Sequence, residues 1–177
     1  CLMRLEKPLA PGSTIGILGG GQLGRMLAPA AGELGFSCHI FAPEADSPAF
    51  QVSGGHTVAG YHDFTALEGF AKSVAVVTYE FENVPGDTAA FLESRVALAP
   101  GSGALKTAQD RVDEKTFIAG LGIPVAPFAA VNGQPELEAA IALIGRPSVL
   151  KTRRFGYDGK GQTKITEKTA AAAAWAE

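Results

Sequence analysis

Short apolar runs alternate with amphipathic segments over the first half of the chain. The apolar runs have the length of buried strands and read TIGILG, SCHIFAP and VAVVTYEF, starting at Thr14, Ser37 and Val74. The segments between them, QLGRMLAPAAGELG and DFTALEGFAKS, carry apolar residues at helical spacing. This alternation predicts βαβ units and a parallel sheet, which is the α/β fold class.

The first of these helices has one continuous apolar stripe. Its members recur at a spacing of three or four residues and are Leu23, Leu27, Ala30 and Leu34. We therefore expect the helix to pack on the sheet through this stripe.

The second half of the chain has a different order of elements. A helical stretch over residues 102–122 is either one connecting helix or a broken pair, and IPVAPFAAV is expected to be a strand. A helix in QPELEAAIALIG follows, and then PSVLKTRR and QTKIT are predicted to be two strands around a glycine loop. We predict an N-terminal tail (1–13), a first domain (14–101), a linking segment (102–122) and a second, incomplete domain (123–177).

Composition excludes several classes of protein. The 177 residues are 46% hydrophobic, carry a net charge of −3, and contain no apolar run near the roughly 20 residues that a membrane helix needs. The sequence has no basic patch of the kind that is typical of nucleic-acid-binding proteins. Cys1 and Cys38 lack metal-ligand spacing. We expect a cytoplasmic protein that binds neither membrane nor nucleic acid.

The loop GGGQLG, Gly19 to Gly24, follows a predicted strand and opens a helix. Such a loop can present backbone N–H groups to an anion at the positive end of the helix. Gly19, Gly21 and Gly24 also match the dinucleotide fingerprint, with Glu44 about 20 residues further on as its ribose-binding acid. A nicotinamide or flavin enzyme, or a tight turn without a ligand, therefore remains an alternative.

Two further motifs carry acidic or charged groups. In TYEFENVP, Glu80 and Glu82 are two residues apart, so on a strand they would share a face and could accept hydrogen bonds from an amine or from ribose hydroxyls. Acids facing water at a strand end are the alternative. In QDRVDEK the charges fit a solvated helix face, and Arg111 is unremarkable by itself.

The segment KTRRFGYDGKGQ is the most specific local signal. Lys151 ends an apolar strand, where its ammonium can reach a polyphosphate, and Gly156, Gly159 and Gly161 allow a hairpin whose amides close over phosphates. The segment is not a P-loop, because a strand and not a helix is expected after GKGQ. The alternative is a basic hairpin on the surface.

Taken together, GILGGGQLGRML, TYEFENV, QDRVDEK, GIPVAPF and VLKTRRFGYDGKGQ closely resemble the 5-(carboxyamino)imidazole ribonucleotide synthase family of ATP-grasp enzymes, often called PurK. The resemblance covers about residues 14–166. It implies a Rossmann-like pre-ATP-grasp domain, a linking helix and part of an ATP-grasp domain. In this family the first glycine loop faces the ribonucleotide substrate and no nicotinamide is used.

The resemblance also implies the reaction and its residues. ATP and bicarbonate form carboxyphosphate, which carboxylates 5-aminoimidazole ribonucleotide in purine biosynthesis. ATP is expected at Arg111, Lys151, Gly156, Tyr157, Asp158, Gly159, Lys160, Gly161 and Gln162. The ribonucleotide is expected at Gly21, Gln22, Leu23, Glu80, Tyr157, Asp158 and Lys160, with Glu80 and Lys160 as the catalytic residues.

Several expectations concern what lies outside these motifs. Mg²⁺ is expected as a cofactor with its ligands beyond residue 177, so the chain alone should be inactive, and a homodimer is expected. Phe155 stands where the family commonly has glycine, and it would either stiffen the loop or pack beneath it. Another ATP-grasp enzyme, such as the formate-dependent glycinamide ribonucleotide transformylase, is the alternative within the superfamily.

Overall fold

The computed structural model describes residues 7–156 and 159–176. The chain divides into two compact units, with the boundary between Lys106 and Thr107. The first unit contains a five-stranded parallel sheet in the order β3-β2-β1-β4-β5. Its strands are β1 (Thr14–Leu18), β2 (Ser37–Ala42), β3 (Gly55–Val58), β4 (Val76–Tyr79) and β5 (Ala97–Leu98). The predicted α/β class is confirmed.

Helices cover both faces of this sheet. They are α1 (Gln22–Glu33), a 3₁₀ helix (Pro48–Val52), α2 (Phe64–Ser73) and α3 (Gly86–Glu93). Successive strand residues point to opposite faces, so Ile17 and Ile40 pack with Ala28 on one side, and Leu18 and Phe41 pack on the other. The central strands β1, β2 and β4 are mainly apolar because helices cover both of their faces. The edge strand β3 has a mixed pattern. The sequence pattern did not predict β3, α3 and β5.

The expected packing face of α1 is wrong. Leu23 is 55% exposed and Leu34 is 72% exposed, whereas Gly24 and Ala28 are buried. A Cβ on Gly24 would lie 2.8 Å from the carbonyl oxygen of Gly19, so the helix approaches the end of β1 too closely for a larger residue. Close approach of the two backbones, rather than the apolar stripe, therefore sets the rotation of α1.

The second unit is built around a hairpin of antiparallel strands, β6 (Ser148–Lys151) and β7 (Gln162–Ile165). Its helices are α5 (Arg111–Gly120), α6 (Gln134–Ile144) and α7 (Ala171–Ala176), and Leu137, Ile165 and Ala174 form its small core. The two predicted strands around the glycine loop are confirmed.

Two further expectations for this half of the chain have different outcomes. The stretch expected to be one helix or a broken pair is a pair, because α4 (Ser102–Gln109) ends before Asp110, which caps α5. The strand expected in IPVAPFAAV is wrong, since residues 123–131 form no regular element. Pro124 and Pro127 lack the N–H groups that a strand ladder needs. No helix in the described ranges is long and apolar enough to cross a membrane.

Candidate functional site

The first candidate site lies at the carboxyl edge of the parallel sheet. β1 pairs with β2 on one side and with β4 on the other, so the chain reverses its direction of winding at β1. Ligands of open α/β sheets bind at such a switch point. The triple-glycine loop follows β1 here, and Glu80 follows β4 beside it.

Glu80 is fixed on the triple-glycine loop through both its backbone and its side chain. Its N–H donates to the carbonyl of Leu18 at 3.1 Å. Its carboxylate accepts hydrogen bonds from the N–H groups of Gly21, at 2.8 Å, and Gly24, at 3.2 Å. The carboxylate therefore caps the N-terminus of α1, where the helix dipole favours a negative charge.

The three consecutive glycines make room for neighbouring side chains. A Cβ on Gly19, whose φ is +108°, would lie 2.3 Å from Cγ of Glu80, and one on Gly21 would lie 2.8 Å from its Oε1. A Cβ on Gly20 would lie 2.4 Å from Oγ of Ser47. The loop thus needs glycine for reasons of packing. A pyrophosphate would have to displace Glu80 to reach the N–H groups of Gly21 and Gly24.

The two acids of TYEFENVP do not share a strand face. β4 ends at Tyr79, so Glu80 and Glu82 both lie beyond it, and the expectation based on strand alternation is wrong. Glu80 is part-buried on the triple-glycine loop, whereas Glu82 is exposed. Asn83, in the same motif, has a buried Oδ1 with no hydrogen-bond partner among the described residues.

Tyr61 is a candidate residue that no motif or periodic pattern in the sequence had indicated. It follows β3, a strand that the pattern did not predict, and its ring lies 5.9 Å from that of Phe81. Burial, with added repulsion from the carboxylates of Glu44 and Glu80, raises the pKa of the Tyr61 hydroxyl. Tyr61 is therefore a neutral hydroxyl held in the field of two acids at the carboxyl edge of the sheet.

The first turn of α1 supplies the other predicted residues of this site. Gln22 and Leu23 are both exposed. Gln22 also lines an open cavity of about 640 Å³ together with Arg25, Met26, Pro29 and Pro48. The N–H groups at the first helical positions have no intrahelical acceptors, so they can donate to an anion.

The second candidate site is the glycine hairpin of the second unit. Lys151 ends β6 opposite Gln162, the first residue of β7, and both are exposed. The N–H of Thr152 donates to the carbonyl of Gly161 at 2.8 Å, which closes the neck of the loop. Because side chains alternate along the strands, Lys151 and Gln162 lie on the hairpin face opposite to the core residue Ile165.

The loop contains left-handed backbone at three described positions. Gly159 and Gly161 have φ values of +82° and +64°, which glycine adopts at little cost. Phe155 has φ +63° although it carries a side chain, and this side chain is 66% exposed. Phe155 therefore does not pack beneath the loop. Tyr157 and Asp158 lie outside the described residues.

The start of α5 is bound to the first arm of the hairpin loop, residues 152–156. The backbone N–H of Arg111 donates to the carbonyl of Arg153 at 3.0 Å, and its Nη2 donates to the carbonyl of Gly156 at 3.0 Å. Nε of Arg153 donates to both carboxylate oxygens of Asp110, at 3.1 and 2.9 Å. The structure thus places Arg111 against the glycine hairpin, through the carbonyls of Arg153 and Gly156. The pairing of Asp110 with Arg153 beside it is one that the sequence did not indicate.

The described residues do not form a metal site. Among residues 7–156 and 159–176 no group of three or more His, Cys, Asp or Glu side chains could hold a metal ion. The described residues therefore do not fit a Mg²⁺ site.

The fold, together with two sequence models that the chain matches, defines a pre-ATP-grasp domain followed by part of an ATP-grasp domain. The sequence model of the ribonucleotide synthetase preATP-grasp domain matches residues 12–109, and that of the ATP-grasp domain matches residues 116–177. The chain belongs to the ribonucleotide synthetase preATP-grasp family.

Two curated relatives show the same relationship. A bifunctional purine synthesis protein purC/E of Dictyostelium discoideum is 50% identical over 167 residues, which are 94% of this chain and 17% of that protein. An N5-carboxyaminoimidazole ribonucleotide synthase of Brucella melitensis is 48% identical over 157 residues, which are 89% of this chain and 43% of that protein. The resemblance inferred from the motifs is confirmed.

Solved structures agree with these relatives. The ADP complex of purK, an N5-carboxyaminoimidazole ribonucleotide synthetase, is 44% identical with a TM-score of 0.88 over 93% of this chain and 44% of that one. The Aspergillus clavatus synthase in complex with ADP and 5-aminoimidazole ribonucleotide is 30% identical with a TM-score of 0.77 over 89% of this chain and 41% of that one. The chain spans less than half the length of each of these four proteins.

Proposed function

We propose that this chain is part of an enzyme that uses ATP and bicarbonate to carboxylate 5-aminoimidazole ribonucleotide on its exocyclic amine. The observation that carries the proposal is the succession of a preATP-grasp domain and an ATP-grasp domain. Arg111, which lies between the two matched ranges and in the second unit, contacts the glycine hairpin of that unit. Relatives named N5-carboxyaminoimidazole ribonucleotide synthase, with ADP and the ribonucleotide bound in solved structures, support it.

In this proposal residues 14–101 bind the ribonucleotide. Two hydrogen bonds from loop amides hold the carboxylate of Glu80, which has lone pairs left to accept a hydrogen bond from the substrate amine. Because Glu80 occupies the N–H groups of Gly21 and Gly24, the substrate phosphate is assigned to the N–H groups of Gln22 and Leu23. The same occupancy argues against the dinucleotide-binding alternative.

Residues 123–177 contribute to the ATP site, and residues 102–122 link the two domains. Lys151 neutralises phosphate charge from the end of β6, and amides of the hairpin, together with Lys160 and Gln162, surround the phosphates. Arg111 contacts both the loop and ATP. Phosphoryl transfer to bicarbonate depends on alignment of the reactants and on stabilisation of spread negative charge, which such donors supply.

A loop over the phosphates also has a chemical purpose. Carboxyphosphate is a mixed anhydride that water destroys, so the reaction needs a site from which water is excluded. The glycine hairpin is the segment of the second unit that fits this role, and Tyr157, Asp158 and Lys160 are proposed to complete it. ATP, bicarbonate and the ribonucleotide are the proposed small-molecule partners. Mg²⁺ is proposed as a cofactor of the whole enzyme, for which the described residues offer no ligand cluster, and a homodimer is also proposed.

The test is a coupled ADP-release assay on a protein of the relatives' full length that carries this sequence. We expect ADP release that requires both bicarbonate and 5-aminoimidazole ribonucleotide. ADP release with formate and glycinamide ribonucleotide instead would favour the transformylase alternative. Tight binding in a fluorescence titration with NADH, without ADP release, would favour a dinucleotide-binding protein.

A further inference from the structure

Asp110 connects two segments of the second unit, the start of α5 and the first arm of the hairpin loop. It is the N-cap of α5, where its Oδ1 accepts hydrogen bonds from the N–H groups of Val112, at 2.9 Å, and Asp113, at 3.3 Å. The same carboxylate accepts the two contacts from Nε of Arg153. Its side chain is only 14% exposed, compared with 44% for that of Arg153.

These contacts have a consequence for the glycine loop, because Arg153 is held from two directions. Its side chain is bound by Asp110, and its carbonyl accepts the backbone N–H of Arg111. Three residues further on, the guanidinium of Arg111 holds the carbonyl of Gly156. The first arm of the loop, residues 152–156, is therefore attached to the start of α5 at two successive points.

We propose that Asp110 is a positioning residue for nucleotide binding, which sets the first arm of the glycine loop, through Arg153, where Arg111 and the loop amides meet the phosphates. The inference rests on the proposed function and goes beyond it, since Asp110 itself needs no contact with ATP. Its helix-capping bonds keep its side chain in one orientation, so the position of Arg153 is fixed relative to that of Arg111.

Substitution of Asp110 by Asn separates the two roles of the side chain. Asn caps helices about as well as Asp, so α5 keeps its cap, whereas the ion pair of Asp110 with Arg153 is lost. The longer contact of Arg153 with Asp113, at 3.9 Å, remains in this variant. Asp63→Asn is the matched control, because Asp63 caps α2 by accepting a hydrogen bond from Ala66 N in the first unit. Arg153→Gln removes the other partner, and the double variant Asp110→Asn/Arg153→Gln tests whether the two residues act together.

In a protein of the relatives' full length, we expect Asp110→Asn to raise KM for ATP about three- to tenfold, as for a part-exposed ion pair, while KM for the ribonucleotide stays unchanged. Arg153→Gln should give a similar rise and the double variant no more than either single one. Unchanged KM for ATP in Asp110→Asn, or a double variant with the product of the two single effects, would overturn the proposal.

A second measurement does not depend on catalysis and uses the 177-residue chain itself. Arg153 and Arg154 are trypsin sites in the first arm of the loop, and Lys168 is an exposed trypsin site beyond β7. We expect Asp110→Asn to accelerate cleavage after Arg153 and Arg154 severalfold, with cleavage after Lys168 unchanged. If the wild-type protein released no ADP but cleavage still accelerated, the proposed function would fail while the attachment of the loop stood. Equal cleavage rates would refute the attachment.

Discussion

Gly19 and Glu80 are packed so closely that a methyl group on the glycine would lie 2.3 Å from Cγ of the glutamate. The two residues follow neighbouring strands, β1 and β4, at the point where the sheet reverses its winding. The contact links the two motifs of the first unit. The conformation of the triple-glycine loop, Gly19 to Gly24, therefore depends on Glu80, and the position of Glu80 depends on that loop.

Glu80→Ala should therefore destabilise the first unit. The N–H groups of Gly21 and Gly24 would lose their acceptor, which we expect to lower the free energy of unfolding by about 1–3 kcal/mol in urea denaturation of the 177-residue chain. Glu80→Gln, which keeps one acceptor oxygen, should lose less. Glu82→Ala, at the exposed acid of the same motif, is the control, and an equal loss there would contradict the capping role.

Gly19→Ala tests the packing requirement against backbone strain. Gly12 also has a positive φ, +85°, but a Cβ there would meet no atom within 4 Å. Both substitutions carry the strain of a left-handed residue, roughly 1–2 kcal/mol, and only Gly19→Ala adds the overlap with Glu80, about 1–3 kcal/mol more. Thermal or urea unfolding measures the difference. Equal destabilisation by the two variants would show that the contact with Glu80 is unimportant.

Phe155→Gly should relieve strain in the hairpin loop. Its φ of +63° disfavours any side chain, and Phe155 is two-thirds exposed. Phe155→Ala is the matched variant, because it loses the same ring contact with Arg154 but keeps Cβ. We expect the Gly variant to unfold at a higher urea concentration than the Ala variant. The free energy of unfolding should differ by up to roughly 1 kcal/mol. At an ordinary φ the order would be reversed, so a more stable Ala variant would refute the strain.

Lys151→Ala tests the proposed ATP site in a protein of the relatives' full length. Loss of a hydrogen bond from an ammonium to phosphate should weaken the use of ATP by about 1.5–3 kcal/mol, which is roughly 10- to 150-fold in kcat/KM for ATP. Lys168→Ala, at an exposed lysine beyond β7, should leave ATP kinetics unchanged. ATP kinetics equal to wild type in Lys151→Ala would remove the main support for phosphate binding at this hairpin.

Asp110 should make stability depend on pH in the acid range. Burial raises the pKa of its carboxyl, but hydrogen bonds from Arg153 and from the amides of Val112 and Asp113 outweigh that effect, so the pKa lies below its ordinary value of 3.8. A group whose pKa is lowered by folding stabilises the folded chain above its unfolded pKa, and this contribution is lost as the pH falls through the folded value.

The stability difference between wild type and Asp110→Asn should therefore be largest above about pH 4 and should shrink at lower pH. Urea unfolding at a series of pH values measures it. Arg153→Gln should reduce the same acid-range dependence, because it removes one cause of the lowered pKa. A difference that stays constant from neutral to acid pH would contradict this assignment.

Local features were predictable from the sequence, and features that depend on tertiary contacts were not. The hairpin with Lys151 at its strand end follows from a short apolar run and glycines close in sequence. The rotation of α1 cannot be predicted in this way, because the pattern does not show that α1 approaches Gly19 closely. That approach requires the helix face with the small residues Gly24 and Ala28. Glu80 was selected from its motif, but its bond to Gly21 joins residues 59 positions apart and depends on strand order.

The second candidate site shows the same limit. Arg111 was selected only through family resemblance, since a charged helical run has many solvated equivalents. Asp110 and Arg153 are 43 residues apart, and nothing in their local sequence indicates a pair. Tyr61 escaped notice because β3 has a mixed pattern that did not mark it as a strand.

The hydrogen bond from Thr152 to Gly161 has a consequence for affinity. Joining the two ends of a flexible segment reduces its conformational entropy, and a ligand that had to bring them together would bind more weakly by that amount. In this chain a single backbone hydrogen bond at the base of the hairpin already joins the two ends, so the loop has lost this conformational entropy before a ligand binds. If the hairpin binds phosphates as proposed, its attraction for them appears more fully in the dissociation constant.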